Sequence, residues 1–240
     1  GALGFLVGQY LAITAEERKT LLASGAAAGM SATFGTPVAA VLLAVELWLF
    51  EYRARSLVPV AFGVSVAAIV RIALVGTAPA FAVGMLAQPT AGAVLAYVLM
   101  GAVMGVLAVL VTRAVYAVED GFALLPIHWM WWPALGAVVV GVVGLFAPRT
   151  LGVGYDNLED MVSGRLAGGP LFALCGFKFV SWLFSLGSGT SGGTLAPLFT
   201  VGGGAGVAVA TGLALALPGV DVDPRLAALV GMAAMFAGAS

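Results

Sequence analysis

The chain of 240 residues is 62% hydrophobic and 9% charged with a formal net charge of −1, and its mean hydropathy is +1.11. A soluble domain carries roughly 25% charged residues, so the composition points to a membrane protein, and without a basic cluster it gives no electrostatic footprint for nucleic acid. The single cysteine, Cys175, excludes an internal disulfide, lacks the partners of a metal site and reads as a small core residue.

Runs without Asp, Glu, Lys or Arg cover residues 20–45, 72–112, 121–148 and 179–220, each longer than the roughly 20 apolar residues of a helical span. The predicted class is an all-α, polytopic, multi-pass membrane protein in a plasma or inner membrane, with the lipid bilayer as its solvent. Residue 1 starts inside an apolar segment with no Met and no signal-peptide character, and Ser240 ends a Gly/Ala-rich helix, so the chain is expected to be a piece of a longer one.

Residues 1–13 read as the end of a helix. Thr14, with Glu17 three residues on, forms a capping box for the next one, which carries Gly25 and Gly29 as a GxxxG face for close helix packing. Gly35 and Pro37 break it. The apolar run 38–50 closes on Glu46, Glu51, Arg53 and Arg55, and an ion pair of Glu46 with Arg53, or a capping role, is the expected use of that carboxylate. A span over 57–75 contains Arg71, and an uncharged loop follows at 76–89.

The run 90–111, with a second GxxxG at Gly101 and Gly105, is predicted to end near Arg113, Glu119 and Asp120. Trp129, Trp131 and Trp132 then cluster beside His128, as expected at a headgroup interface, and 133–146 forms a span ending at Pro148 and Arg149. Residues 150–169, with Asp156, Glu159, Asp160 and Arg165, read as a surface loop with a short helix. The span 171–186 holds Lys178, expected, like Arg71, to snorkel to the interface. With Arg53, Arg55 and Arg113 on the cytoplasmic side, the positive-inside rule puts 76–89 and 150–169 outside.

Residues 187–197, Gly-Ser-Gly-Thr-Ser-Gly-Gly-Thr-Leu-Ala-Pro, form a glycine-rich turn that leads into the apolar segment 198–217. Glycine permits positive φ and close approach of a ligand, and Pro197 suits the first turn of a helix. Such a helix start presents unpaired N–H groups and the positive end of the helix dipole, which together hold an anion without a cationic side chain. No charge occurs in 179–220, so an anion site here must be built from backbone amides and hydroxyls, with the amides of Gly193, Thr194 and Leu195 as the predicted donors. Gly187, Ser188, Gly189, Thr190, Ser191 and Gly192 are the candidate pore-lining residues. No metal, cofactor or catalytic residue is predicted.

Sliding the sequence by 202 residues sets Gly1, Gly4, Leu11, Ala12, Gly29, Met30, Ala32 and Phe34 on Gly203, Gly206, Leu213, Ala214, Gly231, Met232, Ala234 and Phe236. Internal repeats with paired broken helices are a common plan of transporters. On this repeat, the counterpart of 187–197 would precede residue 1, with the repeat boundary near 76–90 of a single, incomplete transmembrane domain, 1–240.

The 187–197 turn resembles the GxFxP anion-binding signature of the CLC chloride channels and chloride/proton antiporters. Residues 25–46, from Gly25 through Phe34 and Pro37 to Glu46, resemble the family segment AAGxAAxFxxPxxGxxFxxE. The two lie 150 residues apart in the family's order. The resemblance implies an inverted-repeat fold, a homodimer with one pore per subunit, and chloride or another halide cradled by amides at Thr194 and Leu195. It places 36–47 and 57–75 at the dimer interface and implies that residues 1–240 alone do not transport. Leu195 stands where the family usually has Phe. The GSGxP, GREGP and pore-tyrosine elements are not in the chain, and Ser188 is not taken for the pore serine.

Where the family antiporters commonly have Glu-Glu, this sequence has Glu46-Leu47. Leu47 cannot titrate, and neighbouring helix positions point about 100° apart, so anion conduction with weak or no proton coupling is expected. The alternative is chloride/proton antiport, with Glu46 in the proton pathway. Two other classes fit parts of the turn. Gly189-Thr190-Ser191-Gly192-Gly193 matches GxSxG of serine hydrolases and resembles rhomboid intramembrane proteases, but His128 is the one histidine and lies upstream. Thr200-Val201-Gly202-Gly203-Gly204 echoes a potassium filter without its tyrosine, whereas helix packing accounts for Gly202–Gly206.

Overall fold

The computed structural model describes residues 2–10, 13–81, 83–84, 86–216 and 219–239, with Leu3 by its backbone alone, and divides into two compact units, Gly1–Ala82 and Val83–Ser240. Regular structure among the described residues is helical throughout.

The first unit contains α1 (Ala2–Tyr10), α2 (Ala15–Phe34), α3 (Pro37–Leu43) and α4 (Ala54–Val75), with a π-helical turn at Ala44–Leu49. The capping box at Thr14 is present: Glu17 N–H donates to Thr14 Oγ1 at 3.3 Å, and Thr14 N–H donates to the Glu17 carboxylate at 2.9 Å. Gly35, at φ 68°, ends α2 in the left-handed conformation, and Pro37 opens α3. The interface of α2 with α4 is made of small residues. Ser24 Oγ donates to the Pro59 carbonyl at 3.0 Å, and a Cβ at Gly63 would lie 2.4 Å from Ser24 Oγ.

Two expectations change in this unit. Gly29 faces open space, while Gly25 stands at the crossing with α1: a Cβ added at Gly4 would lie 3.7 Å from Gly25 Cα and 2.6 Å from the Leu21 carbonyl, and the close contact with α4 comes from Gly63. Arg53 pairs with Glu51 at 3.5 Å rather than with Glu46, because the chain reverses at Phe50, φ 57°. Glu46 sits exposed in the π-turn with no hydrogen bond or ion pair among the described residues, beside a half-buried Leu47.

The second unit contains α5 (Ala91–Ala123), α6 (Trp132–Phe146), α7 (Tyr155–Val162), α8 (Gly168–Gly187), α9 (Leu195–Ala216) and α10 (Pro224–Ala239). Helix α5 does not stop near Arg113. It continues through Glu119 and Asp120 for 33 residues, about 50 Å, because those charges lie on its exposed side. The Gly101/Gly105 pair is used at one position: a Cβ added at Gly238 of α10 would lie 3.5 Å from Gly105 Cα, while Gly101 faces open space. Met100, Met104 and Ala108 of α5 instead pack with Leu198, Ala210, Ala227 and Met235 as the core. Residues 150–169 are more than a surface loop: α7 buries Asn157, Leu158, Met161 and Val162.

Helices α9 and α10 touch backbone to backbone. A Cβ at Gly231 would lie 2.4 Å from the Gly202 carbonyl oxygen and 2.7 Å from Gly206 Cα, while one at Gly206 would meet the Ala227 carbonyl at 2.5 Å. Backbone cannot rotate away as a side chain can, so Gly231→Ala is expected to destabilise by about 3 kcal/mol, at the upper end of overpacking costs. Thermal unfolding in detergent measures this, and a wild-type melting temperature would contradict it. Gly4 and Gly206, matched at the 202-residue offset, both stand at helix crossings. Gly1, Leu11 and Ala12 of that alignment lie outside the described residues.

By length and composition, five segments among the described residues can cross a membrane: Ala54–Val75, Ala91–Ala123, Trp129–Phe146, Gly168–Gly187 and Leu195–Ala216. Trp129 and Trp131 are exposed on a 3-10 turn, whereas Trp132 packs on Phe122 with ring centroids 6.3 Å apart.

Candidate functional site

The glycine-rich turn is a break between two apolar helices. Helix α8 ends where Ser188 N–H bonds the Phe184 carbonyl at 3.1 Å and Gly189, at φ 81°, bonds the Leu186 carbonyl at 3.0 Å. This is a left-handed glycine stop. Gly189 is the only glycine of the turn with positive φ; Gly192 and Gly193 instead leave open space where a Cβ would stand. The Ser185 carbonyl accepts from Ser188 Oγ at 2.8 Å and from Thr190 Oγ1. Thr190 therefore secures the end of α8 and does not cap α9.

Helix α9 starts at Leu195, and Leu198 N–H donates to the Thr194 carbonyl at 3.0 Å, which makes Thr194 the N-cap. The amides of Gly193, Thr194, Leu195 and Ala196 find no acceptor among the described residues, and Pro197 has no N–H. A row of free donors thus stands at the positive end of a 22-residue helix. The predicted donors Gly193, Thr194 and Leu195 are all in this row, and Ala196 joins them.

Gly187 and Ser188 line neither of the cavities beside the turn. A Cβ at Gly187 would lie 2.6 Å from Val118 Cγ1, and Ser188 is 1% exposed beneath Gly136 of α6, where an added Cβ would meet Ser188 Oγ at 2.5 Å. Both residues serve helix packing. Gly189, Thr190, Ser191 and Gly192 do line cavity space and are exposed.

Among the described residues, two cavities adjoin the turn. The smaller, about 210 Å³, brings Gly192, Gly193 and Pro197 together with Ser181, Thr150 and Lys178. The larger, about 610 Å³, joins Thr190, Ser191 and Thr194 to Thr112, Tyr116 and Glu119 of α5. Lys178 overturns two expectations. It does not snorkel, being 6% exposed in the middle of α8, and it supplies a cation beside a turn expected to have none. Its Nζ donates at 2.8 Å to the carbonyls of Thr150 and Gly152, and no carboxylate pairs with it among the described residues. An ionisable residue inside a predicted span is a functional candidate by default, and this was the signal available in the sequence.

The carbonyls that hold Lys178 are set by the segment before α7. Thr150 Oγ1 donates to the Ala147 carbonyl at 2.7 Å, and Asn157 Nδ2 donates to the Arg149 carbonyl at 2.7 Å. Asp160 bridges Arg165, at 2.8 Å, and Arg149, and the Arg165 hydrogen bond, followed by that of Arg149, holds its carboxyl below the usual carboxylate range. A carboxylate lowered in the folded state stabilises it above its unfolded pKa, and this contribution disappears as pH falls through the folded value. The protection of residues 147–165 against hydrogen exchange, relative to intrinsic rates at the same pH, is therefore expected to fall below about pH 4, and Asp160→Asn to remove that fall. An unchanged profile in the variant would contradict it.

Among the described residues, those of the protease pattern stand apart from one another and those of the filter pattern lie within α9. His128 Nδ1 accepts the Met130 amide at 3.3 Å and its ring lies on Trp129, centroids 5.5 Å apart, while no imidazole lines the Ser191 cavity. Thr200 is inside α9, its hydroxyl bonded to the Ala196 carbonyl at 2.9 Å, and Gly202, Gly203 and Gly204 are closed by Met235, Met161 and Cys175.

Residues 1–240 match the voltage gated chloride channel family. The H(+)/Cl(-) exchange transporter ClcA of Vibrio parahaemolyticus is 30% identical over 244 residues, which is 99% of this chain and 52% of that protein. ClcA of Salmonella paratyphi B is 30% identical over 232 residues, 93% of this chain and 49% of that one. The crystal structure of a slow cyanobacterial Cl−/H+ antiporter superimposes with a TM-score of 0.80 at 25% identity, covering 98% of this chain and 56% of the other. A CLC-type fluoride/proton antiporter superimposes with a TM-score of 0.73 over 91% of this chain and 54% of the other; at 21% identity it supports the fold alone. The chain spans about half the length of the curated relatives it matches. Its fold is the all-α, broken-helix fold of multi-pass integral membrane transporters. The chain belongs to the CLC family of voltage gated chloride channels.

Proposed function

We propose that the complete protein containing this chain exchanges chloride for protons, with the anion held at the break between α8 and α9. The observation that carries this reading is the row of unpaired amides at Gly193, Thr194, Leu195 and Ala196, next to the buried, carboxylate-free Lys178. Free helix-start donors and an uncompensated buried cation both favour an anion.

Exchange replaces the channel-like expectation because the relatives named above are exchange transporters and an antiporter. The expectation of weak coupling rested on Leu47 and on regular α-helical geometry. Glu46 lies in a π-turn, whose i→i+5 bonding turns less per residue, and its carboxylate is exposed and unpartnered among the described residues. We assign the proton pathway to Glu46. The exposed Val58, Phe62 and Ile69 of α4 supply apolar surface for the homodimer that the family resemblance implies.

The test is to reconstitute the complete protein in chloride-loaded liposomes, impose an outward chloride gradient and follow external pH. Protons are expected to enter against their gradient in fixed proportion to chloride leaving, and Glu46→Gln is expected to lower that proportion. Chloride efflux without proton movement would restore the channel-like reading.

A further inference from the structure

The two cavities at the turn carry opposite charge. Both are walled by Trp182, Leu186, Thr190 and Gly192, so the turn is the partition between them. One contains Lys178 and the other Glu119, and neither lining holds a second charged group. Tyr116 is the other titratable residue on the Glu119 side; Arg113 and Asp120, elsewhere on α5, are exposed and outside that lining. Glu119 makes no hydrogen bond or ion pair among the described residues. Its placement is fixed by packing: the backbone of Glu119 and the side chain of Val118 fit against Gly187, where an added Cβ would lie 3.3 Å from Glu119 N and 2.6 Å from Val118 Cγ1. The missing Cβ at Gly187 brings α5 close enough for a carboxylate to face the start of α9.

Given the proposed anion site, we infer that Glu119 sets the direction from which anions reach the turn. A negative charge in the wall of one mouth lowers the local anion concentration there, while Lys178 raises it at the other. Glu119 touches no anion in this scheme. It acts through the field it adds to the larger cavity, and it makes half-saturation by chloride unequal at the two membrane faces.

The experiment uses the complete protein in planar bilayers, with chloride varied at one face at a time. Glu119→Gln is expected to lower the half-saturating chloride concentration at one face by about three- to tenfold, the range for a single charge at a solvated mouth, and to leave the other face unchanged. The effect should shrink at high ionic strength. Glu119→Asp, which keeps the charge, is expected to behave as wild type, and a melting temperature equal to wild type in both variants separates the field from a folding defect. Wild-type half-saturation at both faces in Glu119→Gln, or an equal shift at both, would overturn the inference while leaving the proposed exchange intact. Absence of chloride flux in the wild-type protein would overturn the proposed exchange and this inference together.

Discussion

Replacing Lys178 with methionine is expected to weaken chloride binding by more than tenfold, whereas Lys178→Arg retains most of it. The ammonium is buried with no carboxylate beside it among the described residues and lines the same cavity as Gly192 and Gly193. For opposite charges about 8 Å apart in an effective dielectric near 20, the attraction is roughly 2 kcal/mol, or about thirtyfold in affinity. Methionine also leaves the Thr150 and Gly152 carbonyls without their donor, so a lower melting temperature accompanies the loss. Arginine separates the two effects, because it restores the charge even if it fits the two carbonyls less well. Calorimetric titration with chloride reads the outcome. Unchanged affinity in Lys178→Met would remove the cation from the anion site.

Thr194→Pro is expected to abolish halide flux in the complete protein, and Thr194→Val to be mild. The Thr194 amide has no acceptor among the described residues, and its side chain makes no hydrogen bond there. Hydrogen bonds to charged groups contribute roughly 1.5–3 kcal/mol, so deleting one amide donor lowers affinity between about tenfold and a hundredfold. Proline also restrains Gly193 toward extended conformations and so misaims the neighbouring donor. Valine keeps the amide. Equal loss in both variants, measured as halide efflux from liposomes, would shift the role to the hydroxyl.

Much of this site is legible in the sequence because it depends on local backbone chemistry. The Thr14–Glu17 box, the Gly35–Pro37 interruption and the start of a helix just before Pro197 each follow from residues within a few positions of one another. Lys178 is different. Whether a lysine in an apolar helix snorkels or is buried depends on what covers it, and its cover is a turn at 150–152 whose shape is held by Arg149, Asn157 and Asp160. The π-turn at Ala44–Leu49 likewise has no local signature, so its effect on Glu46 was not readable. The GxxxG pattern of Gly101 and Gly105 is used only at Gly105, which lies against Gly238 of α10, because such a pattern identifies a helix face able to pack closely and not the partner it meets; the tightest crossing uses Gly202, Gly206 and Gly231. Ser188 was readable only as part of a glycine-rich turn, and its burial comes from Gly136, 52 positions away.

In the proposed exchange an anion sits on the free amides that open α9. Anomalous diffraction from crystals of the complete protein soaked in bromide tests it most directly. A bromide peak is expected within hydrogen-bonding reach of the amide nitrogens of Thr194, Leu195 or Ala196 in the wild-type protein, and absent in Thr194→Pro. No peak at that helix start under saturating bromide, with bromide bound elsewhere in the pore, would contradict the account.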